Sequence, residues 1–162
     1  IISFIKEIRE KPPVLSKVTD IKIIDKEIEG YTDFKIIESV GEEEAITLLS
    51  PDIATCDDCL RDISDVNNRR YRYPFTNCTN CGPRFSITKK VPYDRGNTTM
   101  SVFEMCTICR VEYTNPIDRR FHAQPNGCSK CGPKVFICDK EGQEIISKDP
   151  IKDLAKERMV RL

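Results

Sequence analysis

Eight of the nine cysteines in this 162-residue chain stand in four Cys-x-x-Cys pairs, and no other feature limits its fold as tightly. The pairs are Cys56/Cys59, Cys78/Cys81, Cys106/Cys109 and Cys128/Cys131, separated in turn by 18, 24 and 18 residues. A Cys-x-x-Cys turn aims two sulfurs at one point, and two such turns supply the four thiolates that tetrahedral Zn²⁺ requires. An 18-residue gap lies within the spacing of such sites, so two structural zinc ions are expected. A disulfide framework also uses an even number of cysteines, but it rarely repeats Cys-x-x-Cys four times, and no export signal is seen. A redox pair would occur once, beside a βαβ pattern that is missing here. The ninth cysteine, Cys138, follows Val135-Phe136-Ile137 and is expected to be a small buried residue.

Displacing the sequence by 50 positions lays the first four paired cysteines on the second four. Arg69-Arg70 falls on Arg119-Arg120, Tyr71 on Phe121, and Cys81-Gly82-Pro83-Arg84 on Cys131-Gly132-Pro133-Lys134. The chain therefore carries a duplicated module. A copy that once stood alone had to complete its own site, so one zinc is expected on Cys56, Cys59, Cys78 and Cys81. The other is expected on Cys106, Cys109, Cys128 and Cys131, with crossed pairing as the alternative. The glycine after each second pair suits a turn that tolerates no Cβ, and the proline after it leads the chain out. In each copy the first pair opens a short helical stretch, Asp57 to Asp65 and Thr107 to Thr114. The second pair is expected between extended segments, with Tyr71, Tyr73 and Phe75 alternating before it and Phe85 and Ile87 after it. Between the copies, Thr98-Thr99-Met100 is expected to open a helix that turns Met100, Phe103 and Met105 to a core and delivers Cys106.

Outside the repeat, Ile1, Phe4, Ile5 and Ile8 share one helical face, and Pro12-Pro13 ends that helix. Val18 to Ile24 and Tyr31 to Ile37 read as strands joined across Glu29-Gly30. At the far end, segments 135–138 and 144–147 read as a hairpin around Asp139-Lys140-Glu141-Gly142, and Asp149-Pro150 as the cap and first residue of a helix. The fold class expected is α+β: a small zinc-stabilised double finger or ribbon module flanked by partial α/β domains. With Ile1 first and no leader-like stretch after it, the chain is expected to be cut from a longer protein.

Hydrophobic residues make up 39% of the chain and charged residues 32%, too apolar for a disordered tail and too polar for one large core. No apolar run reaches membrane-spanning length, so a soluble, cytoplasmic protein is expected. Formal charge is −5 over residues 1–55, +4 over 56–131 and +1 over 132–162. Each zinc with four thiolates carries −2, so two sites bring the middle region to zero, which argues against a free nucleic-acid binder. His122, the only histidine, aligns with Arg72, which cannot ligate, and each copy already has four thiolates; it is not expected to bind metal. Arg69-Arg70 and Arg119-Arg120 could grip phosphate, but the reading preferred is that they hydrogen-bond the zinc turns or pair with acidic neighbours. Tyr71, Tyr73, Phe75 and Phe85 are read as the small core around the metal rather than base-stacking platforms.

The run from Pro51 through Ala54-Thr55-Cys56-Asp57-Asp58-Cys59-Leu60, and that from Arg69-Arg70-Tyr71-Arg72-Tyr73-Pro74-Phe75 to Cys81-Gly82-Pro83-Arg84-Phe85, are specific enough to compare with a family. With Pro92-Tyr93-Asp94-Arg95, Thr98-Thr99-Met100 and Arg119-Arg120-Phe121-His122-Ala123-Gln124-Pro125, they resemble the HypF family of hydrogenase-maturation carbamoyltransferases. The resemblance covers residues 51–133 densely and includes the eight-cysteine spacing; it departs at Val66-Asn67-Asn68, where the family usually has an Asp-Pro-x-Asp type of run. It implies residues 1–41 as the C-terminal half of an acylphosphatase-like domain, 42–133 as the duplicated finger module (56–81 and 106–131), and 134–162 as the hairpin and first helix of a YrdC-like domain. It further implies a whole protein that uses carbamoyl phosphate and ATP to carbamoylate its partner HypE, on the way to the cyanide ligands of the nickel–iron centre. On this reading both substrates bind outside the segment, which is a connector with no catalytic residue of its own. The seven glycines are isolated and form no phosphate loop. The competing class is a double zinc ribbon that binds nucleic acid or protein.

Overall fold

The computed structural model describes residues 1–33 and 50–160. Its centre is two copies of one small unit. Helix α2 (Asp57–Ser64) and helix α3 (Thr107–Thr114) each begin directly after the first cysteine of their copy, Cys56 and Cys106. The backbone bonds that follow repeat at the interval of the duplication. Arg72 N–H donates to Ile63 and His122 N–H to Tyr113; Tyr71 N–H donates to Asn68 and Phe121 N–H to Asp118. Side chains repeat as well, Asn68 Oδ1 accepting from Arg70 N–H and Asp118 Oδ1 from Arg120 N–H. Arg72 and His122 both adopt a left-handed backbone, with φ of 57° and 50°. A residue with a Cβ pays for that conformation, and here it turns the chain back onto its helix before the second cysteine pair.

The expected extended segments around the second pair are not present. Arg69 to Phe75 forms consecutive turns and Phe85–Ile87 a 3₁₀ turn, because the chain must double back within a few residues to reach the sulfur cluster. The expected helix after Thr98 is only a 3₁₀ turn, Thr99–Val102, capped by the Thr98 hydroxyl. Arg95 takes the Phe103 carbonyl at 2.8 Å, and the chain reaches Cys106 without further helix.

Helix α1 (Ile2–Glu10) forms as expected but buries none of its residues. Residues 18–24 do not form a strand: they are irregular and mostly exposed, as a two-stranded ribbon without a face to cover would be. Of the second expected strand, residues 31–33 are irregular and 34–37 lie outside the described residues. At the other end β1 (Ile137–Cys138) pairs antiparallel with β2 (Glu144–Ile145), and helix α4 (Pro150–Val160) starts after Asp149, whose carboxylate accepts from Lys152 N–H at 3.2 Å. This is a small α+β module built round two four-cysteine finger sites.

Little hydrocarbon is buried. Among the described residues the buried core is five of the paired cysteines with Tyr73, Met100 and Ala123, and beside them lie Arg70, Thr98, Arg120 and Asn126. Tyr71, Phe75 and Phe85 are exposed, so of the four aromatics expected in the core only Tyr73 is there. Cys138 is exposed too, because its two-residue strand has no second layer to cover it. No helix among the described residues is long and apolar enough to cross a membrane.

Candidate metal centre

Within each copy the four sulfurs of Cys56, Cys59, Cys78 and Cys81, and of Cys106, Cys109, Cys128 and Cys131, lie within 4.8 Å of one another. Tetrahedral zinc with bonds of about 2.3 Å sets its sulfurs about 3.8 Å apart. Cys56 and Cys78 are 3.5 Å apart, Cys78 and Cys81 3.9 Å. In the second copy Cys106 and Cys128 are 4.0 Å apart, Cys128 and Cys131 3.7 Å, Cys109 and Cys131 3.6 Å. All nine cysteines are free thiols. The donor set and its spacing therefore fit zinc, and the sulfurs group within copies rather than across them.

The electrostatics ask for a cation. A hydrogen bond from Cys59 holds the Cys78 thiol down at about 4, while the same bond and burial push Cys59 up. In the second cluster burial pushes Cys109 up and opposes ionisation of Cys106, but the Cys109 N–H brings Cys106 down to about 6. In each cluster some thiols are thus brought down while a neighbour is pushed up, Cys128 also being lowered in the second, and a metal cation is what lets all four ionise together.

The glycines after the second pairs serve different ends. Gly82 has φ +67°, the left-handed conformation expected at such a turn. At Gly132 a Cβ would collide with the hydroxyl of Tyr73 and press on the Cys128 carbonyl. The first copy's aromatic reaches into the second copy's turn, and glycine makes room for it.

The arginine pairs are placed crosswise. Arg69, from the first copy, donates through Nη2 to Cys109 Sγ at 3.1 Å and Cys106 Sγ at 3.4 Å, and through Nη1 to Glu112 at 3.0 Å. Arg70, only 2% exposed, reaches both oxygens of Glu112 at 2.9 and 2.5 Å. It also donates to the Gly127 carbonyl and Asn126 Oδ1, each at 3.0 Å, and Asn126 in turn donates to the Cys109 carbonyl. In the opposite direction Arg119 donates to Cys59 Sγ at 3.0 Å, and both Arg119 and Arg120 bond to Asp62. Asp62 and Glu112 are themselves equivalent under the 50-residue displacement. Each copy thus supplies the cations that surround the other copy's sulfurs.

His122 joins neither cluster; its ring stacks on Tyr113 with centroids 4.9 Å apart. Residues that sequence reasoning passed over include Arg95, which grips the second copy through the carbonyls of Gln124 at 2.7 Å and Asn126 at 2.9 Å. Asp62 and Glu112 carried a readable signal, an acid at the same place in both copies.

A model of the HypF finger family matches twice, over residues 55–88 and 105–138, one match on each copy. The chain belongs to the HypF family. Among its relatives, the carbamoyltransferase HypF of Rhodobacter capsulatus is 46% identical over 122 residues, which is 75% of this chain and 16% of that protein. The probable carbamoyltransferase HypF of Methanocaldococcus jannaschii is 49% identical over 97 residues, 59% of this chain and 13% of its own length. The crystal structure of a full-length HypF in its phosphate- and nucleotide-bound form superposes with a TM-score of 0.80 at 50% identity, covering 95% of this chain and 20% of that one. The HypF of T. kodakarensis gives 0.75 at 41% identity, over 97% and 19%. The chain therefore spans about a fifth or less of the length of these proteins.

Proposed function

We propose that this chain is the zinc-finger connector of an ATP-dependent carbamoyltransferase, with one zinc on Cys56, Cys59, Cys78 and Cys81 and a second on Cys106, Cys109, Cys128 and Cys131. Residues 1–41 are assigned to an acylphosphatase-like domain, 42–133 to the fingers and 134–162 to the start of a YrdC-like domain. The observation that carries the reading is the pair of four-sulfur clusters held in one block that touches both flanks. On one side Leu15, from the N-terminal flank, lies against Gly82. On the other side Arg72 forms an ion pair with Asp149, the cap of α4, at 2.7 Å. A metal-braced block fixed at both ends suits holding two catalytic units in a constant relation. In the whole protein, carbamoyl phosphate and ATP bind outside this segment and the carbamoyl group passes to HypE, in the cytoplasm, for hydrogenase maturation.

Four thiolates fill the coordination shell and leave no place for an activated water, so the segment alone catalyses nothing. The competing reading, a nucleic-acid-binding ribbon, loses its natural contact residues. Arg69, Arg70, Arg119 and Arg120 all point at sulfur or carboxylate inside the block. The test is metal analysis of freshly purified, unchelated chain together with incubation in carbamoyl phosphate, with and without ATP. Two zincs and phosphate release no faster than buffer are expected. Fewer than two zincs, or turnover lost on changing Arg70 or His122, would overturn the proposal.

A further inference from the structure

We infer that the two metal sites load and release zinc as a coupled pair, because each copy carries the arginines that neutralise the other copy's sulfur cluster. This rests on the zinc reading of the clusters. A zinc with four thiolates carries a net −2, and Glu112 or Asp62 beside it makes −3. Two arginines from the opposite copy bring each group to −1. That neutralisation takes place where water is largely absent, Arg70 and Arg120 both being buried.

The route from one metal to the other is short and made of named parts. Zinc at the first site holds Cys59, which lies on α2, and α2 is eight residues long. A helix of that length does not persist in water unaided. The turn bearing Arg69 and Arg70 is anchored on α2 and its end, through Arg72 N–H to Ile63 and Asn68 N–H to Asp65. Once the first zinc leaves, α2 and this turn lose their support, and Arg69 and Arg70 withdraw from Cys106, Cys109 and Glu112. The reverse route runs from Cys109 on α3, also eight residues, through His122 N–H to Tyr113 and Asp118 N–H to Asn115, to Arg119 and Arg120. The two turns are also tied directly. Thr79, inside the Cys78–Cys81 turn, donates to the Arg119 carbonyl through its backbone N–H at 3.0 Å and its hydroxyl at 2.9 Å.

The inference separates cleanly from an arrangement in which each copy stabilises its own metal. Native mass spectrometry during titration with a zinc chelator should show mainly the two-zinc and zero-zinc forms of the full chain. Independent, equal sites would pass through a one-zinc form holding about half the molecules, and unequal independent sites through still more. Residue-resolved alkylation during release gives the crossed signature. Arg69→Gln, at a side chain 28% exposed, should speed release from the Cys106, Cys109, Cys128 and Cys131 site about 10–100-fold, the usual effect of removing a hydrogen-bond partner of a metal ligand. Arg119→Gln should do the same to the first site. If Arg69→Gln fails to fold, Arg119→Gln runs the same crossed test in the other direction, and the one-zinc population of the unaltered chain requires no variant. A well-populated one-zinc form, or variants that expose only their own copy's cysteines, would overturn the coupling while leaving the zinc reading intact. A chain purified without zinc would overturn both.

Discussion

Replacing Glu112 by Gln removes one negative charge from the centre of the crossed arginines while keeping the shape of the side chain. Burial alone would push this carboxyl up, but the hydrogen bonds and charge of Arg70, with Arg69 behind it, hold it at about 2 against an ordinary 4.5. At about 1.4 kcal/mol per pH unit, that difference is worth about 3 kcal/mol of stability at neutral pH. The side chain is only 15% exposed, so little of this is lost to solvent screening. A second route gives a similar figure, since removing one partner of a buried ion pair costs about 3–5 kcal/mol. Because the carboxyl is lower in the folded state than in the unfolded one, its contribution is complete above about pH 4.5 and fades only as the pH falls from there towards 2. Urea unfolding at a fixed, buffered free-zinc concentration is the assay, because apparent stability moves with free metal. The deficit of Glu112→Gln should be about 3 kcal/mol and constant between pH 6 and 8. Glu104→Gln, at a side chain 91% exposed and 3.7 Å from Arg110, is the control and should change stability by less than about 0.5 kcal/mol. A Glu112→Gln deficit below about 1 kcal/mol, or one that grows towards pH 6, would refute the argument that the arginine pair is held by this carboxylate.

Stripping both zincs should abolish tertiary structure over the finger block, since structural zinc contributes about 10–16 kcal/mol per site; near-ultraviolet circular dichroism and limited proteolysis unchanged by complete chelation would contradict this. Gly132→Ala should cost about 1–3 kcal/mol through its collision with the Tyr73 hydroxyl. That hydroxyl is buried without a hydrogen-bond partner, so Tyr73→Phe should be neutral or stabilising alone and should recover part of the loss in the double variant, read by thermal denaturation. Cys138, exposed, should alkylate before any other cysteine in zinc-loaded chain, and both Cys138→Ser and His122→Asn should retain two zincs by metal analysis.

The grouping of the eight sulfurs was legible because cysteine spacing is a local property, and so was the duplicated backbone, because a 50-residue displacement aligns residue with residue. The displacement says which residues are equivalent but not how the copies face each other. Arg69 was therefore readable as a partner of a zinc turn or an acid, yet not as a partner of the other copy's Cys109 and Glu112. Alternation is a poor guide at Tyr71, Tyr73 and Phe75, where a period of two suggests extended chain but the loop has to double back within a few residues. The same holds at Val18 to Ile24, since β-favouring residues form a strand only where there is a sheet to join. The apolar neighbours of Cys138 suggest burial, but a two-residue strand brings no second layer with it.

The sparse burial of hydrocarbon sets how this block responds to temperature. The heat-capacity change on unfolding comes from apolar surface newly exposed to water, about 12–15 cal/mol/K per residue in ordinary domains. Here the buried set is dominated by cysteine sulfur, arginine, threonine and asparagine, with Tyr73, Met100 and Ala123 as the other apolar members. The finger block should therefore fall below that range, and its stability curve should bend little, with no marked fall on the cold side. Cooling then costs this block little stability, and free zinc acts on it as a separate lever, about 1.4 kcal/mol per site for each tenfold change in concentration.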